Sequence, residues 1–286
     1  WLELEKWGVI VKFWDINLDT HALHLSDLKK LLSDKTKLVA FTHVSNIVGT
    51  INPVKEFTRF IHDHGAMVCV DAVAYAPHRA VDVSEWGVDF YAFSLYKTFG
   101  PHHAALYCRM DRMLELDNLY HYFYGKDKIP AKMEPGNANY ELSYGSGAIV
   151  DYLVELGSRA NEKGTDRENI EAAFDLITDH ETRLGSMLLS YLGNRNDCNI
   201  IGIDDGNNTS RVPTISFTIK GKLSDQICLA MDKHKIGIRF GDFHARRLSD
   251  LLLLNQFNGA VRISLTHYNT LDEVERLISS LDQVLN

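Results

Sequence analysis

Asp89-Phe-Tyr-Ala-Phe-Ser-Leu-Tyr-Lys-Thr-Phe-Gly-Pro101 is the stretch on which the fold reading turns. Its first half, Asp89–Phe93, reads as a near-continuous apolar strand, after which Lys97 stands in a short loop closed by the turn residues Gly100-Pro101. Upstream, Ala66–Val70 is a strand pattern that ends on Asp71, and Lys37–Thr42 is another, followed by Asn46. Between those two lies the helix pattern Pro53–His64, with proline at its first turn and Gly65 at its end. A further strand is expected at Ala104–Arg109. Apolar strands separated by helices predict a mainly parallel sheet covered on both faces. In such sheets ligands bind beyond the carboxyl ends of the strands, where Asn46, Asp71 and Lys97 fall in succession. Taken singly, such an Asp is more often a helix cap and such a Lys a solvated side chain.

The surrounding chain divides in two. Before the sheet, a helix is expected at Trp1–Lys6, a strand at Gly8–Trp14 and a helix at Ser26–Leu32 with Ser26 as N-cap. Past Pro135 a helix is read over 140–158 and a long one over Arg167–Leu192. Strands at Thr214–Ile219, Gly237–Phe240 and Val261–Leu265 then alternate with helices at Ser224–His234, His244–Leu254 and Leu271–Leu285. The reading is α/β: residues 1–160 as part of a large domain and 161–286 as a smaller α+β domain, with no internal repeat.

Bulk properties exclude several functions. With 286 residues the chain can bury a sizeable core, and its 45% hydrophobic content is ordinary for a globular protein. A formal net charge of −8 leaves no broad basic surface for nucleic acid, Arg246-Arg247 reading as a solvated helix face. No apolar stretch has the length of a membrane span and no secretory signal opens the chain. Cys69, Cys108, Cys198 and Cys228 form no CxxC pair, and a reducing cytoplasm fits them. His62 and His64 lack the constellation of a zinc site, so no metal is expected. The chain starts at Trp1 without an initiator Met, and an upstream piece is expected to be missing.

Together, the three polar positions suit pyridoxal 5'-phosphate (PLP) chemistry. An amine is needed to join the cofactor aldehyde as a Schiff base, and Lys97 supplies one. A carboxylate beside the ring nitrogen keeps it protonated, and Asp71 is placed to do so. Asn46 is polar without charge and suits the ring oxygen or a substrate carboxylate.

Thr42-His-Val-Ser-Asn-Ile-Val-Gly-Thr-Ile-Asn-Pro-Val54, Val70-Asp-Ala-Val-Ala-Tyr-Ala-Pro-His78 and Asp89–Pro101 resemble, in order and spacing, the class V aminotransferase family of PLP-dependent enzymes (fold type I), particularly its cysteine desulfurase-like branch. The resemblance continues through Glu134-Pro-Gly-Asn-Ala-Asn139 to Val261-Arg-Ile-Ser-Leu-Thr-His-Tyr-Asn-Thr270. It implies a large PLP-binding domain of the aspartate aminotransferase-like type, N-terminally incomplete here, plus the smaller C-terminal domain. It further implies that Lys97 carries the cofactor and moves protons at the substrate α-carbon, that Asp71 pairs with the ring nitrogen, and that Ser94 is the phosphate-binding serine just upstream of the lysine, while Tyr96 offers the cofactor a hydroxyl. Asn46 and Arg262 match the pair that grips the substrate α-carboxylate, a task suited to a guanidinium fork. Gly136-Asn137 matches a loop that reaches the phosphate in a neighbouring subunit, which implies a homodimer with shared active sites.

Departures from the family pattern are informative. Ala74 stands where Gln is common, Tyr96 where His is common, and Asn137 where Thr is common. His244 occupies the position of the loop cysteine that becomes a persulfide in desulfurases, and an imidazole cannot hold one. It is read either as an acid or base toward the substrate side chain or as a helix-start residue. His78, His102 and His103 are read as structural or phosphate-adjacent. The family's ring-stacking aromatic and first phosphate loop would lie upstream of Trp1, so these 286 residues alone are expected to bind PLP weakly or not at all. The favoured function is a desulfurase-like lyase reaction at the β-carbon (C–S cleavage) of an amino acid, with transamination or epimerisation as alternatives. A non-catalytic dimeric scaffold is the competing class, and Asn46, Asp71, Lys97 and Arg262 argue against it together. A nucleotide-binding protein lacks the required glycine-rich loop.

Overall fold

The computed structural model describes residues 1–119, 121–134, 136–206 and 210–286. The chain opens with a 3-10 helix, Leu2–Trp7, then runs without regular structure to α1, Leu25–Leu31. The first sheet follows: β1 Leu38–Thr42, α2 Val54–Asp63, β2 Met67–Asp71, α3 Val83–Trp86, β3 Phe90–Ser94 and β4 Ala104–Cys108. Strands lie in the order β1-β2-β3-β4, parallel except for the last pair. After α4, Met110–Glu115, come α5, Tyr140–Ser146, and α6, Ala148–Ser158. The long α7, Asp166–Gly193, leads into β5 Cys198–Ile201, β6 Thr214–Ile219, α8 Ser224–Asp232, β7 Arg239–Gly241, α9 Arg246–Leu251, β8 Ala260–Ser264 and α10 Leu271–Leu285. These strands form a second, antiparallel sheet in the order β5-β6-β8-β7.

Local chemistry explains the long elements. Thr165 and Glu168 form a reciprocal capping box at the start of α7, and Thr270 and Glu273 do the same for α10. One face of α7 buries Leu184, Leu188 and Leu192 against Ile215, Phe217, Val261 and Leu281 of the second sheet and α10. Its earlier turns bury Ala173 and Ile177 against Ile149 and Leu153 of α6. The two helices approach so closely at Gly157 that a Cβ there would lie 1.7 Å from the Asn169 carbonyl oxygen. In the first sheet, Val68, Val70 and Tyr91 point toward α2 and are fully buried with Ile61 and Phe57. The alternate residues point to the other face, where Ala40 and Leu106 are exposed.

Some boundaries differ from the sequence reading. Gly8–Trp14 pairs with no strand; Trp14 instead packs on Phe41 and Phe57 and donates its indole N–H to the His24 carbonyl. Ser26 does not cap α1: His24 holds the cap position through its backbone, without a side-chain bond. The helix read over 140–158 is interrupted at Gly147, and β5 was not foreseen. Among the described residues no helix is long and apolar enough to cross a membrane.

His43, directly after β1, is a buried titratable group with a testable consequence. Its ring stacks on Tyr75 at 3.5 Å, and its Nδ1 lies 2.8 Å from the Tyr91 hydroxyl. Burial pushes its pKa down to about 3 from the ordinary 6.5. The folded state thus keeps His43 neutral, whereas the unfolded chain protonates it below pH 6.5. Its contribution is whole above that pH and is lost as pH falls toward 3. Between pH 7 and 5 this amounts to about 2 kcal/mol. Denaturant melts should show that loss, and His43→Phe should remove that part of the slope.

Candidate active site

The carboxyl edge of the first sheet gathers the expected polar groups. Parallel register places Thr42 beside Asp71 and Asp71 beside Ala92, so all three point to the same face, as does Ser94 two residues on. That face is the open one, and small residues (Ala40, Cys69, Ala92) leave space over it. Asp71 is exposed; its Oδ1 accepts the Val73 N–H at 3.0 Å, leaving the other oxygen free to pair. Lys97 ends a 3-10 turn, Leu95–Lys97, that the Thr98 N–H closes by donating to the Leu95 carbonyl, which the Gly100 N–H also reaches. Its ammonium lies 5.8 Å from the Tyr96 ring centroid, and among the described residues no acceptor pairs with it. Tyr96 in turn stacks on His102 at 5.0 Å.

The loop after Lys97 rests on the later helices. Phe99 adopts a left-handed φ of 63° and packs edge-on against His267 at 4.9 Å. The His267 Nε2 lies 2.5 Å from the Tyr152 hydroxyl, and burial lowers the pKa of this imidazole. Gly136 and Asn137 are exposed and lie just before α5, which Asn139 caps through the Leu142 N–H. The Ser143 hydroxyl of that helix approaches His103, whose carbonyl accepts the Leu95 N–H. His78 is buried elsewhere, 2.9 Å from Glu181, as a structural contact between the first sheet and α7.

A second group of residues closes onto this edge from the other sheet. Gly49 makes the approach possible: at φ 73°, a Cβ there would lie 2.4 Å from the Thr214 carbonyl oxygen. The turn it ends carries Asn46, whose Nδ2 donates to the Phe243 carbonyl at 2.8 Å. The Asn46 carbonyl accepts from Nη1 of Arg262 at 3.0 Å. The guanidinium lies 3.9 Å over the Phe243 ring. Its Nε is buried without a partner, and burial, followed by the charge of Arg239, lowers its pKa. A buried donor left open beside a fixed guanidinium is what a carboxylate would fill.

His244 is exposed beside this triangle, two residues before α9 begins, so it is not a helix-start residue. It and Phe243 both hold left-handed backbone, φ 62° and 52°, in a turn where the Asp242 carboxylate accepts the His244 N–H. Consecutive non-glycine residues in this region cost about 1–3 kcal/mol each and tend to mark functional loops. Arg239 and Phe243 carried no periodic or spacing signal of their own, because cross-strand register and ring stacking are set by the fold.

The cysteines lie apart from this loop: on β2, at the end of β4, at the start of β5 and in α8. Burial raises the pKa of each thiol, to about 12 for Cys198 and Cys228. None is set up as a thiolate nucleophile. The residues thus fit PLP: an amine unpaired among the described residues, a carboxylate with a free oxygen beside small residues, and an anion receptor at Arg262 held against Asn46.

Comparison with known proteins agrees with this geometry. Residues 1–277 match the profile of the aminotransferase class-V family. The aminotransferase-like protein FGM3 of Gibberella zeae is 39% identical over 278 residues, covering 96% of this chain and 66% of that protein. The cysteine desulfurase-like protein ustD of Aspergillus flavus is 34% identical over 296 residues, covering 100% of this chain and 64% of that protein. The chain thus spans just under two thirds of the length of these relatives. Among solved structures, the apo cysteine desulfurase of Thermococcus onnurineus superposes with a TM-score of 0.82 at 26% identity, over 99% of this chain and 68% of that one.

Proposed function

The chain belongs to the aminotransferase class-V family, and from that premise we propose that it is a PLP-dependent enzyme acting at the β-carbon of an amino acid, without a protein persulfide. The family's enzymes use PLP, and the carboxylate of Asp71 at the end of β2 and the unpaired amine of Lys97 after β3 support a cofactor site at this edge of the sheet. When bound, PLP supplies an electron sink for bonds broken at the substrate α-carbon.

The protein's own groups have distinct tasks. Lys97 would hold the cofactor through its Nζ, and the same amine would take and return the α-proton. Asp71 holds the proton on the ring nitrogen through its free carboxylate oxygen. Ser94 and Tyr96 flank the cofactor on the Lys97 strand and turn. Arg262, fixed by Asn46 and Phe243, takes the α-carboxylate through Nε and its remaining amine. The buried, unpartnered Nε is the observation that carries the amino-acid reading. His244, exposed next to the Phe243 that stacks under Arg262, would exchange a proton with the substrate side chain. With no thiolate near that loop, a sulfur or other leaving group departs without being captured by the chain.

A homodimer belongs to the same proposal. Tyr122, Tyr140 and Tyr144, on the segments that flank Gly136-Asn137 in sequence, are all strongly exposed, which suits a surface that meets a second copy.

NMR identification of products from amino acids incubated with the PLP-loaded full-length protein tests the reaction. A β-substituent that leaves with its bonding electrons should give pyruvate and ammonia, and a side-chain carboxylate lost as CO2 should give alanine. A keto acid retaining its side chain, or inversion at the α-carbon alone, contradicts the β-carbon assignment.

A further inference from the structure

Arg262 is not the only cation on its face of the second sheet. Antiparallel register pairs it with Arg239 on β7 and with Ser216 on β6. Residues directly opposite in this way project to one side, their Cβ atoms about 4.5–5.5 Å apart. The opposite side carries Phe217, Val261, Ile263 and Ile238, all in the core, so the Ser216–Arg262–Arg239 row faces the first sheet and Asn46. Like charges set opposite each other destabilise a sheet. Among the described residues no carboxylate pairs with either guanidinium, and only the solvent around the exposed Arg239 screens the repulsion. Two polar atoms in the row are also buried without partners, Arg262 Nε and Ser216 Oγ, the latter on a residue that is 0% exposed. A single α-carboxylate answers one positive charge and leaves Arg239 unanswered.

We propose that Arg239 receives a second anionic group, carried on a short side chain of the amino-acid substrate whose α-carboxylate Arg262 holds. The proposal rests on the reading of Arg262 as the α-carboxylate receptor and adds the substrate class, a dianionic amino acid. A neutral side chain would leave Arg239 facing Arg262 with its repulsion uncompensated. A carboxylate or another acidic group of aspartate length neutralises the pair and spans from one guanidinium to the other.

Two measurements on the full-length protein test this. In the first, the PLP-loaded protein is titrated with L-aspartate and L-asparagine while the cofactor absorbance is followed. Aspartate should bind about 10- to 100-fold more tightly than asparagine. Arg239→Gln should bring the two within about twofold by weakening aspartate alone, and Arg239→Lys should restore part of the gap. In the second, thermal unfolding of cofactor-free protein should be raised by succinate but not by butyrate, and Arg239→Gln should abolish that shift. Equal affinity for the two amino acids in the parent protein would overturn the proposal. So would an Arg239→Gln variant that weakens both equally, since Arg239 would then serve the α-carboxylate. If succinate stabilises the parent but not the variant while no amino acid perturbs the cofactor, the anion pair stands and the PLP reading falls. Arg239 is exposed and unpaired, so its substitution leaves folding intact.

Discussion

Lys97→Ala should lower turnover by about four orders of magnitude or more, while thermal unfolding stays within about a degree of the parent. The two halves of this result have separate physical origins. Lys97 is exposed, and among the described residues it makes no hydrogen bond or ion pair, only a distant approach to the Tyr96 ring. Surface residues with so few contacts contribute within about 0.5 kcal/mol to stability. The catalytic loss is large because the same amine joins the cofactor and handles the α-proton, and no other described group stands in its turn. The turn itself is held by the Leu95 carbonyl and by Phe99 against His267, none of which involves the lysine side chain. A variant that loses activity together with stability would place Lys97 among structural residues instead.

Arg262→Ala should raise the dissociation constant for amino-acid substrates by about 100-fold or more. Its effect on folding should stay near 1 kcal/mol, because gains and losses offset. The variant loses the bond to the Asn46 carbonyl and the stacking on Phe243. It also removes a buried donor without a partner and the like charge facing Arg239. Arg262→Lys should recover little of the affinity, since an ammonium lacks the planar fork that meets both carboxylate oxygens. Titration against L-alanine, followed by cofactor absorbance, separates this binding loss from the chemical step. A strongly destabilised Arg262→Ala protein with unchanged substrate affinity would make the arginine a structural strut.

Where sequence and structure agree, one local signal sufficed. Leu271–Leu285 was legible to the residue because Thr270 and Glu273 spell a capping box ahead of a clean helical period. Thr214–Ile219, buried at every position, was equally plain. Gly8–Trp14 misled because a short apolar run makes a strand only when a partner edge is available, and Trp14 finds its place against Phe41 and Phe57 instead. β5 was missed because Cys198-Asn-Ile-Ile is too short to show a period. At the site, strand ends made Asp71 and Lys97 legible, and the family resemblance supplied Arg262. The Phe243 ring beneath that guanidinium, the bond from Asn46 to the Phe243 carbonyl and the facing Arg239 arise from register between distant segments. None of these contacts has a signature along the chain.

The measurement closest to the central claim is chemical fixation of the cofactor. The full-length protein, purified after expression with PLP, is reduced with borohydride, digested and mapped by mass spectrometry. A single pyridoxyl group on the peptide carrying Lys97 is the predicted result. Protein that shows no label, or a label on another lysine, would contradict the account and move a non-catalytic scaffold to the front.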